Sequence, residues 1–471
     1  METRPLTYFE KVWNEHAIAD LGDGTWLLQA DRLLLHDVTG GAIMRTLVAE
    51  GHAPASPSQV FGVIDHLLVT RPQPQRRDGW TPVATQMISE SRHLSQQLGI
   101  ELIDVEDPRQ GITHVIAPEL GIALPGLMIV CGDSHTCTLG GLGAIGWGIG
   151  TSEGVHVLAT QTIAETRPRL MRANFEGRLR PGVSAKDMIL RLIGEIGAGG
   201  GAGFAIEFAG EAVRALPVEA RLTLCNMAVE CSAKYGFVAP DDTVFDYLEG
   251  RAHAPKGAAW DMAVAHWRSL ATDALALFDR EVFIDVTTLE PQVTWGTSPQ
   301  HVAPVNSSVP VPEEAGDGPS RANAKAALAY QQLTPGTALE SVRIDVAYIG
   351  TCTNARLSDL RLAAEYLRGR RVASHVTAIC VPGSAGVKRA AEAEGLDAVF
   401  REAGFEWHDA GCGMCGSGRG RLEDVRVIST SNRNFENRQG KRTRTHLASP
   451  LTVAASAVAG HIADPRKEVL A

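Results

Sequence analysis

Several features are scarce or missing in this 471-residue chain, and each absence removes a class of function. Basic charge is outweighed, since 44 Lys plus Arg face 54 Asp plus Glu for a formal net charge of −10 at pH 7. Such a surface offers no positive field to a phosphate backbone, so nucleic acid is not expected as a partner. No run of about 18 apolar residues, the length a membrane-crossing helix needs, occurs, and the opening stretch from Met1 to Trp13 has no apolar signal core. A cytoplasmic protein with no membrane association is expected. Cysteine is sparse, eight in the whole chain. That does not suit a disulfide scaffold, and in a reducing compartment a Cys-x-x-Cys pair points to metal or redox chemistry. The glycine-rich stretches 140–150 and 197–203 lack the lysine of a phosphate-binding loop, and they read as places of close backbone packing. No internal repeat or low-complexity tract stands out.

What is present is ordinary globular material, 44% hydrophobic and 21% charged, enough for two or three domains with a sizeable core. Leu6, Phe9, Val12, Trp13 and Ile18 recur at near-helical spacing, which predicts an amphipathic helix over 6–20. Strands and helices then alternate: 26–28, 33–35, 60–64 and 127–131 read as strands. The stretch 298–322, rich in Pro, Gly and Ser, lacks periodicity and reads as a linker between a first part, 1–297, and a second α/β part, 323–471. In the second part, 344–349 and 376–381 read as strands around a helix over 357–368.

The chemistry-bearing residues lie at strand ends, where α/β proteins place their sites. Cys352 follows the strand ending at Ile349, and Cys412 and Cys415 form a Cys-x-x-Cys pair 60 positions further on. Three thiolates are one short of a closed tetrahedral site; His408 is the nearest candidate for a fourth ligand, and on local spacing iron–sulfur, zinc and a redox dithiol all stay open. Cys131, Cys137, Cys225, Cys231 and Cys380 read as buried small hydrophobes. Two acid–imidazole groupings, Asp65-His66 and Asp133-Ser134-His135, also end apolar strands. A carboxylate beside an imidazole fixes its tautomer and raises its basicity, which suits proton transfer; the alternative for either alone is a satisfied structural histidine. Arg433 and Arg438, in the turn-rich segment 431–440, suit a clamp for the carboxylates of a small di- or tricarboxylic acid, or else belong to a solvated basic loop with Lys441, Arg442 and Arg444.

These segments together resemble the aconitase superfamily, and within it the family of cluster-bearing large subunits of 3-isopropylmalate dehydratase. The resemblance runs over essentially the whole chain, through Leu6–Trp13, Gly111–His114, Cys131–Thr136, Gly150–Glu153, Val157–Thr162, Leu224–Met227, Val238–Asp241, Arg251–Pro255, Gln292–Thr297, Thr351–Asn354 and Thr430–Phe435. It implies an α/β fold of three domains around an iron–sulfur cluster, without the family's fourth, swivelling domain, for which the chain leaves no room. It implies a [4Fe–4S] cluster held by Cys352, Cys412 and Cys415, one iron of which has no protein ligand. By the same resemblance Asp65 and His66 protonate the departing hydroxyl. His114, Asp133, Ser134 and His135 line the site, Glu230 belongs to its water network, and Asn226 and Asn432 are amides close to the cluster. Asn432, Arg433 and Arg438 match substrate-binding positions. The activity implied is a hydro-lyase acting on a hydroxy acid in leucine biosynthesis. It requires a small subunit that carries the swivel domain and the base for the carbon-bound proton.

The chain departs from the family pattern at Gly40-Gly41-Ala42, Leu67, Leu139, Gly154, Phe204 and the segment 416–422. None of these removes a cysteine or an acid–imidazole group, so they point to a changed substrate, another 2-substituted malate or a homoaconitate-type acid, as an alternative. An RNA-binding protein and a structural zinc protein are more distant readings.

Overall fold

The computed structural model describes residues 4–72, 79–314, 316–415 and 422–467. The chain divides into two compact units. The first comprises Met1–Val69, Gln73–Glu176 and Gly201–Ile284; the second comprises Thr70–Pro72, Gly177–Gly200 and Asp285–Ala471.

The first unit opens with the expected helix, over Tyr8–His16. Thr7 Oγ1 accepts from the Glu10 amide (3.2 Å) and Glu10 Oε2 from the Thr7 amide (3.0 Å), a reciprocal cap that fixes the start. Phe9, Val12 and Trp13 bury its apolar stripe. The helix stops short of residue 20 because Ala17–Gly22 instead pairs antiparallel with Thr25–Gln29.

The centre of this unit is a parallel sheet of five strands: β1 (Arg32–His36), β2 (Val60–Val63), β3 (Glu101–Ile103), β4 (Met128–Cys131) and β5 (Ile145–Gly148). Their order is β3-β2-β1-β4-β5. Leu33, Leu34 and Leu35 are all buried, as are Met128–Cys131, because a parallel sheet is covered on both faces. The chain runs outward from β1 to β3 and then returns to the other side of β1. The switch point therefore lies between β1 and β4, and α/β sheets bind ligands beyond the carboxyl ends of strands at such a crevice.

A second sheet in this unit contains β6 (Arg169–Glu176), β7 (Phe204–Ala209), β8 (Tyr235–Phe237) and β9 (Arg280–Asp285), in the order β8-β7-β6-β9. The glycine-rich stretch 140–150 packs as expected. A Cβ on Gly140 would meet the Gly236 carbonyl, one on Gly141 the Leu222 amide, and one on Gly146 the Thr136 carbonyl.

The second unit repeats the topology. Its parallel sheet comprises β10 (Val346–Ile349), β11 (Thr377–Cys380), β12 (Phe405–Trp407), β13 (Arg426–Ser429) and β14 (Arg444–Leu447). The order is β12-β11-β10-β13-β14, so its switch point lies between β10 and β13. The helix Leu357–Leu367 buries Leu360, Ala363, Ala364 and Leu367, and Pro450–Ala459 is buried almost throughout. The breaker-rich stretch 298–322 is more structured than its composition suggests. Val302–Pro304 pairs antiparallel with Gln292–Thr294, Val305 and Val309 are buried, and a helix begins at Gly318. Among the described residues no helix is long and apolar enough to cross a membrane.

Candidate active site and metal centre

Each sheet delivers polar side chains from the carboxyl ends of strands at its switch point and of others in the same sheet. In the first unit β1 ends in His36-Asp37, β2 leads to Asp65-His66, and β4 to Asp133-Ser134-His135. Asp65 is fully buried; its Oδ1 lies 2.6 Å from His66 Nδ1, while Oδ2 accepts from the amide (2.8 Å) and hydroxyl (2.9 Å) of Thr113. With both carboxylate oxygens held, the imidazole has one orientation, and its Nε2 lies 3.2 Å from Asp133 Oδ2. The His66 side chain is 15% exposed, so this ring reaches solvent while its carboxylate partner does not.

The network continues through Asp133, whose Oδ1 accepts from the His135 amide (2.8 Å) and lies 3.4 Å from His135 Nδ1. His135 Nε2 is 2.9 Å from Glu230 Oε1, and Ser134 Oγ is 3.5 Å from His135 Nδ1. His114 Nε2 meets Thr136 Oγ1 at 3.2 Å, and Asn226 donates to Thr138 Oγ1 at 2.7 Å. Asp65, His66, Asp133, Ser134, His135 and Glu230 thus form one hydrogen-bonded chain, and His114 adjoins it through Thr136, which donates to the Asp133 carbonyl (2.6 Å).

Electrostatics sort these groups. Burial pushes His36 and His114 down to about 4, so both rings are neutral near pH 7. Burial alone would lift Asp65, but the charge and hydrogen bond of His66 bring it to about 2. Burial likewise opposes the ionised Asp133, yet the hydrogen bonds of His135 and His66 hold it well below the usual carboxylate range. Burial works against the His135 imidazolium, and the Asp133 and Glu230 carboxylates outweigh it and raise that ring.

The sequence did not single out His36 and Asp37. Asp37 accepts from the amides of His66 (3.1 Å) and Leu67 (2.7 Å), and the His36 ring stacks on His66 at 4.4 Å. Burial and the nearby Asp65 charge raise Asp37 to about 6. The cue was their place at the end of a strand, the same cue that picked out Asp133.

In the second unit the cysteines gather at the corresponding crevice. Cys352 follows β10 through Thr351, whose φ of 79° is unusual for a β-branched residue. Cys412 and Cys415 close a turn in which the Cys415 amide donates to the Cys412 carbonyl (3.1 Å). Asn432, beyond β13, aims Nδ2 at Cys352 Sγ (3.5 Å), and Arg438 Nη2 lies 3.4 Å from both Cys415 Sγ and Asn432 Oδ1. Arg438 Nε is buried without a partner. N–H donors aimed at sulfur, one of them cationic, suit metal-bound thiolates, and a buried guanidinium N–H suits an anionic group. The three cysteines therefore fit an iron–sulfur cluster.

Arg433 sits half-buried between the buried Asn432 and Asn434. The basic neighbours that suggested a solvated loop are paired: Lys441 and Arg442 with Glu423, and Arg444 with Asp424. His408, the nearest fourth zinc ligand by sequence, places Nε2 3.0 Å from Glu406. Cys131, Cys137, Cys225, Cys231 and Cys380 are all buried, and burial pushes their thiols up, as expected of small core residues. Gly40 and Gly41 begin the helix Gly40–Ala49, and Leu67, Leu139 and Phe204 are buried; of the segment 416–422, residues 416–421 lie outside the described residues.

The first unit thus bears an acid–imidazole chain beyond its parallel sheet, and the second bears a three-cysteine centre beyond its own. The aconitase family (aconitate hydratase) is matched over residues 10–460, and the chain belongs to that family. The family implies an iron–sulfur cluster. The chain is 51% identical over 468 residues to the 3-isopropylmalate dehydratase large subunit 1 of Bradyrhizobium diazoefficiens, covering 99% of this chain and 98% of that one. Among solved structures, the holo-form of Thermococcus kodakaraensis aconitase X aligns over 88% of each chain at 14% identity with a TM-score of 0.47.

Proposed function

We propose that this chain is the large subunit of a hydro-lyase that interconverts 2-isopropylmalate and 3-isopropylmalate by removing and re-adding water, in leucine biosynthesis in the cytoplasm. The observation that carries this reading is the 51% identity, spread over 99% of the chain, to a 3-isopropylmalate dehydratase large subunit. The acid–imidazole chain and the cysteine centre give it chemical content.

Cys352, Cys412 and Cys415 would hold a [4Fe–4S] cluster, which when bound supplies a Lewis acid for the substrate's hydroxyl and carboxylate. Asp65 accepts from Nδ1–H of His66 and holds the ring in one orientation, so that the ring, protonated on both nitrogens, would deliver the Nε2 proton to the departing hydroxyl and keep the Nδ1 proton. Asp133 accepts from that Nε2 and orients it, and Ser134 packs beside the His135 ring. His135 Nε2 and Glu230 Oε1, 2.9 Å apart, would together order the water that returns. The neutral His114 ring and the Asn226 amide supply uncharged hydrogen-bonding groups. Arg433 and Arg438 clamp the substrate carboxylates, and Asn432 orients Arg438 through its Oδ1. No described side chain is assigned the carbon-bound proton; a small subunit carrying the swivel domain supplies that base.

A second reading changes only the substrate. The departures from the family pattern at Gly40-Gly41-Ala42, Leu67, Leu139, Gly154 and Phe204 leave every group of the proposed chemistry in place, which suits another 2-substituted malate or a homoaconitate-type acid. Turnover of 2-isopropylmalate beside bulkier and more polar 2-substituted malates, with the small subunit present and air excluded, separates the two. Clear preference for isopropylmalate removes the second reading, and clear preference for another malate removes the first.

A further inference from the structure

The two cysteine-bearing turns of the second unit meet at one side chain that the proposed chemistry does not use. Tyr348 lies on β10, four residues before Cys352, and is fully buried. Its hydroxyl accepts from the Met414 amide (3.1 Å) and donates to the Cys412 carbonyl (3.4 Å), so it bonds to the backbone of the Cys-x-x-Cys turn at two points. Two glycines make room for it. A Cβ on Gly350, in the turn leading to Cys352, would run into the Tyr348 hydroxyl, and so would a Cβ on Gly413, between Cys412 and Met414. Gly413 also has a φ of 52°, which favours glycine. The phenol tip thus fills a slot between the turn bearing Cys352 and the turn bearing Cys412 and Cys415.

We propose that Tyr348 is a positioning residue for the three-cysteine centre, its hydroxyl fixing the backbone of the Cys412–Cys415 turn and the spacing of that turn from Cys352. The inference rests on the reading that these cysteines hold an iron–sulfur cluster. A phenylalanine would keep the ring and its packing but leave the Met414 N–H and the Cys412 carbonyl without this partner. The turn would then open more readily and expose the cluster to chelator or oxygen. One net hydrogen bond lost from the closed turn corresponds to roughly a threefold to tenfold change in an opening equilibrium.

The test uses the full chain, reconstituted with iron and sulfide without oxygen, as wild type, Tyr348→Phe, Gly413→Ala and the double variant. Iron and sulfide content at the start, the rate of iron loss to a chelator, and the thermal midpoint of the cluster-free protein are measured for each. Tyr348→Phe should load to wild-type content and then lose iron about threefold to tenfold faster, with a midpoint close to wild type. Gly413→Ala should accelerate loss in the wild-type background and do so less in the Tyr348→Phe background, where the hydroxyl that the new Cβ would meet is gone. Loss at the wild-type rate in Tyr348→Phe, acceleration matched by a fall in midpoint, or strictly multiplicative effects of the two substitutions would overturn the proposal while leaving the cluster reading intact. A wild-type chain that binds no sulfide would overturn both.

Discussion

Oδ1 of Asp65 lies 2.6 Å from Nδ1 of His66, and the second carboxylate oxygen is held by the amide and hydroxyl of Thr113. No rotation of Asp65 can improve one contact without losing the other, so the imidazole is locked by a group that never reaches solvent. Asp65→Asn disturbs both ends, because an amide presents N–H either to the ring or to the Thr113 donors. Turnover should fall by about a hundredfold to ten-thousandfold, the usual worth of a positioned proton donor. Stability should fall by about 1–3 kcal/mol for the mismatched buried donor. Steady-state kinetics and urea unfolding on the same preparations check both, and full turnover in this variant would remove His66 from the proton path.

The buried neutral histidines set a pH dependence of stability. His36 and His114 are held at about 4 in the folded chain, below the ordinary value of 6.5, so between these limits the unfolded chain binds more protons. Stability is fully present above pH 6.5 and is lost as pH falls toward 4, by on the order of a few kcal/mol for each ring. Asp65, held at about 2 against an ordinary 3.8, contributes in the same direction at lower pH. His135 and Asp37, the latter at about 6, are raised and run oppositely, their contributions being lost as pH rises through their folded values and offsetting part of the histidine effect. Urea midpoints from pH 7 to pH 4.5 should therefore decline, and the decline should be shallower in His114→Gln.

Much of this arrangement was legible in the residues. Met128–Cys131 and Val346–Ile349 are apolar runs ended by a polar turn, and both are buried strands whose next residues carry polar site groups. The helix 357–367 followed from its spacing. What was not legible depends on tertiary pairing. The first helix stops at His16 because Ala17–Gly22 finds a strand partner, and the proline-rich stretch near 302 is held by Gln292–Thr294. Asp37 and Thr113 matter because the fold brings them to Asp65-His66 from positions 28 and 48 residues away, and no local pattern announces that. The individual cysteines were evident; that Asn432 and Arg438 aim at their sulfurs was not.

Arg438 places Nη2 3.4 Å from Cys415 Sγ, and a lysine would keep its charge while losing the planar fork. Arg438→Lys should raise KM by about tenfold to a hundredfold, the worth of a charge-assisted hydrogen bond. Iron and sulfide content should stay near wild type. Kinetics beside metal analysis decide the matter, since an unchanged KM would take Arg438 out of the carboxylate clamp.

Gly140 tests the packing account apart from chemistry. Its missing Cβ leaves space for the Gly236 carbonyl at the end of the second sheet. Gly140→Ala should destabilise the chain by about 1–3 kcal/mol through overpacking, seen as a lowered thermal midpoint. A midpoint equal to wild type would mean that the close approach is not needed.

The most direct measurement of the central claim is turnover of 2-isopropylmalate by the chain reconstituted anaerobically with iron and sulfide, with and without a small subunit, beside Cys352→Ser, Cys412→Ser and Cys415→Ser. The account predicts labile sulfide in the wild-type chain, isomerisation only when the small subunit is present, and loss of both cluster and turnover in each cysteine variant. Zinc without labile sulfide, or turnover that survives the cysteine substitutions, would contradict it.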